Sequence, residues 1–116
     1  MEIKVGEYVR TEFGNIGKFY RPASESSDVY YIYINKDGNK ISSRYDSIVK
    51  HSNNIIDLIE IGDILRVFDN LSETEEKVNI FDDEMLKAVK KDIKDNNYKI
   101  LSILTHEQFS SLEYII

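Results

Sequence analysis

With 116 residues, 41% hydrophobic and 31% charged, the chain has the composition of a globular protein with room for one ordinary domain or two very small ones. No stretch reaches the roughly 18 consecutive apolar residues of a membrane span. The start MEIKVGEYV lacks a basic segment leading into an apolar run, and zero cysteines exclude disulfide and thiolate chemistry, so a cytoplasmic protein is expected.

Val5 to Thr11 reads as a first strand, and the glycines of Phe13-Gly14-Asn15-Ile16-Gly17 mark a tight turn into a second, Lys18 to Arg21. Pro22 to Asp28 reads as a polar loop. Val29 to Ile34 has the aromatic and β-branched content of a strand, and Asp37-Gly38 supplies the positive-φ pair of a hairpin returning through Lys40 to Ser43. Ser47 to His51 closes this half, and Ser52 caps a short helical turn carrying Ile55, Ile56 and Ile59.

In the second half, Gly62 to Phe68 and Lys77 to Phe81 read as strands. Asp82 to Ile93 reads as a helix with Leu86, Val89 and Ile93 on one face; Asp82, Asp83 and Glu84 favour the positive end of its dipole, and Lys87, Lys90, Lys91 and Lys94 lie toward the other. Tyr98 to Leu104 is a closing strand. Thr105 and Gln108 form a capping box for a final short helix carrying Phe109 and Leu112, and Tyr114-Ile115-Ile116 is expected to pack or to pair as an edge strand.

Two matches indicate that one pattern is written twice. Val5-Gly6-Glu7-Tyr8-Val9-Arg10 aligns with Ile61-Gly62-Asp63-Ile64-Leu65-Arg66, and Ser47-Ile48-Val49-Lys50-His51 with Ser102-Ile103-Leu104-Thr105-His106. Gly62 follows Gly6 by 56 residues and His106 follows His51 by 55, a spacing that suits a duplicated small domain. The expected fold is mainly β (α+β): two tandem Src-homology-type β-barrel lobes, 1–60 and 61–116, with a helix inserted in the second near 82–93. Charge divides at the same boundary, since residues 1–60 carry 8 Lys+Arg against 9 Asp+Glu, net −1, and residues 61–116 carry 7 against 12, net −5.

The chain has no Gly-x-Ser-x-Gly turn, and neither Gly14 nor Gly17 belongs to a phosphate-binding loop or a dinucleotide fingerprint, so an enzyme is not expected. His51 and His106 take matching places in the repeat and read as structural. Thr105-His106-Glu107 lacks a second ligand at helical spacing, and neither a metal nor a cofactor is expected. Asp69 with Glu75, Glu76 and Lys77 has the makings of a metal-dependent nuclease, a pattern that acid-rich loops also produce by chance.

Binding features are stronger. Asp69, Glu73, Glu75 and Glu76 should repel phosphate and attract a basic surface. Val29 to Ile34 is apolar on both faces; with Tyr30, Ile32 and Ile34 pointing inward, Tyr31 and Tyr33 point out, available to a protein partner or a stacked base unless the second lobe covers them. Lys18, Phe19, Tyr20, Arg21, Lys36, Lys40 and Arg44 interleave cations and aromatics as single-strand binders require.

The runs Val5 to Thr11 and Asn54 to Asp63, together with His106-Glu107-Gln108-Phe109 and Tyr114, resemble a group of small accessory proteins encoded by bacteriophages and prophages of low-GC Gram-positive bacteria. The resemblance covers both ends and the middle, carries no catalytic residue, and implies a viral protein made in the bacterial cytoplasm. By analogy with phage inhibitors of host defence, the expectation is a non-enzymatic anti-CRISPR-type protein. It would present Asp69, Glu73, Glu75 and Glu76 to the basic channel of a host defence nuclease, with no membrane and no direct nucleic-acid contact. The alternative is a small-ligand or nucleic-acid binding module with Tyr31 and Tyr33 as its stacking platform.

Overall fold

The computed structural model describes residues 2–25 and 28–111, the side chains of 109–111 excepted. Leu112 and the apolar run Tyr114-Ile115-Ile116 lie outside the described residues, as does the side chain of Phe109. The chain divides into two units, 1–58 and 59–116, both built on antiparallel sheets. No described helix is long and apolar enough to cross a membrane.

Unit 1 holds β1 (Tyr8–Thr11), β2 (Ile16–Pro22), β3 (Tyr30–Ile34), β4 (Lys40–Arg44) and β5 (Ile48–Ser52) in one five-stranded sheet of order β4-β3-β2-β1-β5. A 3-10 turn, Tyr45–Ser47, joins β4 to β5. Because β4 and β5 form the two edges and are not paired with each other, the sheet is open, and the closed barrel expected from the sequence is not formed. The β3–β4 hairpin turns on Gly38 alone at φ +81, while Asn35 Oδ1 accepts the N–H groups of Asp37 and Asn39; Asp37 does not share the left-handed conformation.

The core of unit 1 is Val9, Phe19, Tyr31, Tyr33 and Ile48, with Phe19 and Tyr31 stacked at 5.9 Å. Gly17 in β2 makes this packing possible: a Cβ there would run into the Tyr33 ring and come within 2.6 Å of the Ile34 carbonyl. After β5 the chain makes a 3-10 turn, Ile55–Leu58, started by Asn54, whose Oδ1 accepts the Ile56 N–H, with Ser52 accepting the Asn54 N–H. Ile56 and Leu58 are buried, and the Leu58 carbonyl accepts from Nη1 of the fully buried Arg10 at 2.9 Å.

Unit 2 has a three-stranded sheet, β7-β6-β8, of β6 (Ile64–Asp69), β7 (Thr74–Asn79) and β8 (Tyr98–Leu104). Between β7 and β8 stands α1 (Asp83–Lys94), and α2 (His106–Ser111) follows β8. Asp82 caps α1 by accepting the Met85 N–H at 2.8 Å, and Lys87 pairs with Asp83 one turn earlier at 2.9 Å. Val89 is the buried centre of the apolar stripe Leu86, Val89 and Ile93, and α1 packs on β8. β7 begins three residues before the expected Lys77, because Thr74 to Lys77 are exposed on both faces and give no alternation to read.

The opening turn occurs in both units with the same hydrogen bonds. Gly6 (φ +90) donates to Phe19 O and Gly62 (φ +100) to Ile80 O; Glu7 N donates to Lys4 O and Asp63 N to Glu60 O. The carboxylates also match, since Glu7 accepts the Lys4 N–H at 2.6 Å and Asp63 the Glu60 N–H at 2.9 Å. A positive φ is what admits glycine at both places. The histidines do not match. His51 lies opposite Val9, whereas the residue opposite Leu65 is Ile103, three before His106, so the expected equivalence of His51 and His106 fails.

Candidate functional site

The tyrosines of β3 lie in the opposite phase to the expected one. Tyr31 (0% exposed) and Tyr33 (5%) face the core of their own unit, and Tyr30 (45%) faces outward with Ile32 and Ile34 half-buried beside it. A stacking platform on Tyr31 and Tyr33 is thereby excluded. Burial pushes both phenols above their ordinary range, and for Tyr31 the nearby Ser43 and Ser47 hydroxyls pull weakly the other way.

The four expected acidic residues do not converge. Asp69 ends β6 as the brace of a turn, its Oδ1 accepting the Leu71 N–H at 2.9 Å, and Glu73 occupies the same turn at φ +58. Glu76 lies opposite Val67 and shares the inward side of the sheet with Asp69, while Glu75 lies opposite Phe68 on the other side with Lys77. The pleat thus separates the carboxylates, and it also breaks up the nuclease pattern of Asp69, Glu75, Glu76 and Lys77. Burial first, and then the charges of Glu76, Asp69 and Asp92, raise the Tyr98 phenol.

A different set of residues does converge. The registers of β1 to β4 place Tyr8, Lys18, Ile34 and Lys40 in one row across unit 1, Arg21, Ile32 and Ser42 in the next, and Tyr30 with Arg44 in the third. All lie on the face opposite the Phe19–Tyr31–Tyr33 core. A bulge between Phe19 and Arg21 brings Tyr20 out beside this face. Cations and rings then stack: Lys18 over Tyr8 at 5.3 Å, Lys40 over Tyr20 at 4.7 Å, Arg21 over Tyr20 at 5.9 Å and Arg44 over Tyr30 at 5.7 Å. No carboxylate stands in these rows among the described residues; Asp46, just beyond, pairs with Arg44 at 3.1 Å. The two share the wall of an open hollow of about 420 Å³ with Glu12, Phe13, Ser43 and Ser47. Of the cationic and aromatic residues expected to interleave, Lys18, Tyr20, Arg21, Lys40 and Arg44 belong to this face, Lys36 is on the hairpin, and Phe19 is in the core.

In unit 2 the opening turn gathers titratable groups of its own. His106 Nε2 lies 3.4 Å from Glu60 Oε1 and 3.0 Å from Glu107 Oε1, so Glu60 supplies from 46 residues away the partner that helical spacing did not. In unit 1, His51 Nδ1 lies 3.2 Å from Glu7 Oε1. The Glu7 carboxyl is held below its ordinary range, first by the Lys4 N–H, against an opposing effect of burial, and then by His51.

Comparison with protein-family models, with curated proteins and with solved structures finds no match to this chain.

Proposed function

We propose that this protein is a non-enzymatic binding module whose first unit holds a single-stranded nucleic acid on the outer face of β2, β3 and β4. The observation that carries the reading is the run of rings and cations across that face: Tyr8 and Lys18, Tyr20 with Lys40 and Arg21, Tyr30 and Arg44. Bases stack on tyrosine rings, at about 1–3 kcal/mol per base, while lysine and arginine meet the phosphates between them. The strand order of unit 1, with a 3-10 turn between β4 and β5, supports reading it as a Src-homology-type sheet that stays open. The shared opening turn supports an ancestral duplication with α1 added to the second copy.

The test is fluorescence anisotropy of a labelled single strand. Saturable binding that weakens with salt is expected, with Tyr20→Ala, Tyr30→Ala and Lys40→Ala each costing about five- to hundredfold in affinity and Tyr33→Phe costing little. Absence of saturable binding, or equal affinity for duplex, overturns the reading.

A phage-encoded inhibitor of a host defence nuclease, acting in the bacterial cytoplasm, is the second reading. Its support is the exposure of Glu75 and Glu76 on β7 at the sheet edge and of Glu73 in the turn before it. Here the partner is a basic protein surface, and Glu75→Lys with Glu76→Lys should abolish inhibition in a nuclease assay while Tyr20→Ala and Tyr30→Ala leave it intact. The reverse pattern favours the nucleic-acid face.

A further inference from the structure

We infer that unit 2 contains a site for a first-row divalent cation, of the zinc class, whose ligands are Glu60, His106 and Glu107. Their donor atoms all lie within 4.8 Å of one another. A tetrahedral ion with bonds of about 2.0–2.1 Å sets its donors about 3.3–3.4 Å apart, and Nε2 of His106 stands 3.4 Å from one carboxylate oxygen and 3.0 Å from the other. One imidazole nitrogen carries a single proton and cannot serve two carboxylates well, whereas an ion accepts the lone pairs of all three. Two carboxylates thus stand against one ring nitrogen, a concentration of negative charge that a dication balances.

The site is also braced from behind. Asp63, fully buried, accepts the Glu60 N–H on Oδ2 and the His106 N–H on Oδ1, both at 2.9 Å, so one carboxylate ties together the two chain segments that carry the ligands. Gly62 seats the ring: a Cβ there would lie 3.0 Å from His106 Cβ and 3.4 Å from its Cγ. The mixed imidazole and carboxylate donor set selects zinc over magnesium, which keeps its water and prefers oxygen alone. Bound there, the ion clasps the entry of β6 to the start of α2. The corresponding turn of unit 1 has Lys4 where unit 2 has Glu60, and it is not expected to bind.

Zinc chloride titrated into the metal-free full chain, followed by calorimetry and by thermal melting, tests the site. Uptake of one equivalent and a raised melting temperature are expected. His106→Gln and Glu60→Gln should each weaken uptake by more than about tenfold, His51→Gln should leave it unchanged, and magnesium should not compete. Absence of uptake by the natural chain, or uptake equal in His106→Gln, overturns the inference. If circular dichroism finds either variant unfolded, Glu107→Gln decides, with retained affinity counting against the site.

Discussion

The opening turns of the two units share a backbone and differ in chemistry. In both, a glycine at positive φ donates to the neighbouring strand and a carboxylate holds the N–H three residues before it. In unit 1 that carboxylate, Glu7, remains near solvent and reaches a histidine side chain; in unit 2, Asp63 is fully buried and reaches the backbone of His106 instead. Shortening the side chain by one methylene while burying it converts a surface ion pair into a structural brace. The same backbone thus opens the sheet proposed to bind in one unit and the proposed metal clasp in the other.

The largest effect should come from the core on which only unit 1 depends. Tyr31→Ala removes a fully buried ring stacked on Phe19 and tilted against Tyr33 and Tyr45, and should lower stability to urea by about 3–5 kcal/mol. Tyr31→Phe should be neutral or slightly stabilising, because the hydroxyl is buried near Ser43 and Ser47 without hydrogen-bond geometry. A large loss in the Phe variant would show that the hydroxyl is bonded.

Next come the turns themselves. Gly6→Ala meets only the cost of a positive φ, about 1–2 kcal/mol, since nothing lies within 4 Å of the added carbon. Gly62→Ala carries the same strain and also presses on His106, so its loss should be larger, about 2–4 kcal/mol. Equal losses on urea unfolding would mean that His106 moves aside without cost. Asp63→Ala should cost about 2–3 kcal/mol, because two partly buried N–H groups lose their fully buried acceptor, and Glu7→Ala should cost less in the same measurement.

The smallest effect is a pH dependence. Because the folded state depresses the Glu7 carboxyl, the stability it adds is fully present above the ordinary glutamate range and is lost as pH falls through the lowered value. Acid titration should therefore weaken the natural chain more than Glu7→Gln between those two limits, as read by thermal melting. Parallel curves would sever this link.

Much of the architecture was legible. The expected boundaries of β8 match the structure, and α1 is displaced by a single residue, because Tyr98–Leu104 is bounded by polar turns and Asp82 caps a clear apolar stripe. The phase of β3 was not legible: Ile32 and Ile34 are also apolar, so a period of two gives no sign of which side is inside. The histidine equivalence failed for a related reason. Ser47-Ile48-Val49 and Ser102-Ile103-Leu104 are alike in type, but register is decided by pairing with β1 and β6. The cationic face depended on a bulge at Tyr20, and the Glu60–His106 contact on the folding of a turn, neither of which leaves a local pattern.

The charges of β7 have one further consequence. Among the described residues it is an edge strand, and such a strand offers a row of unpaired backbone groups to any other extended chain, the route by which sheets join into aggregates. Glu75, Glu76 and Lys77 put charge on both sides of that edge, and a second strand docking there would have to strip water from all three. Even with no partner to attract, these side chains would oppose the joining of copies of the protein through their sheets.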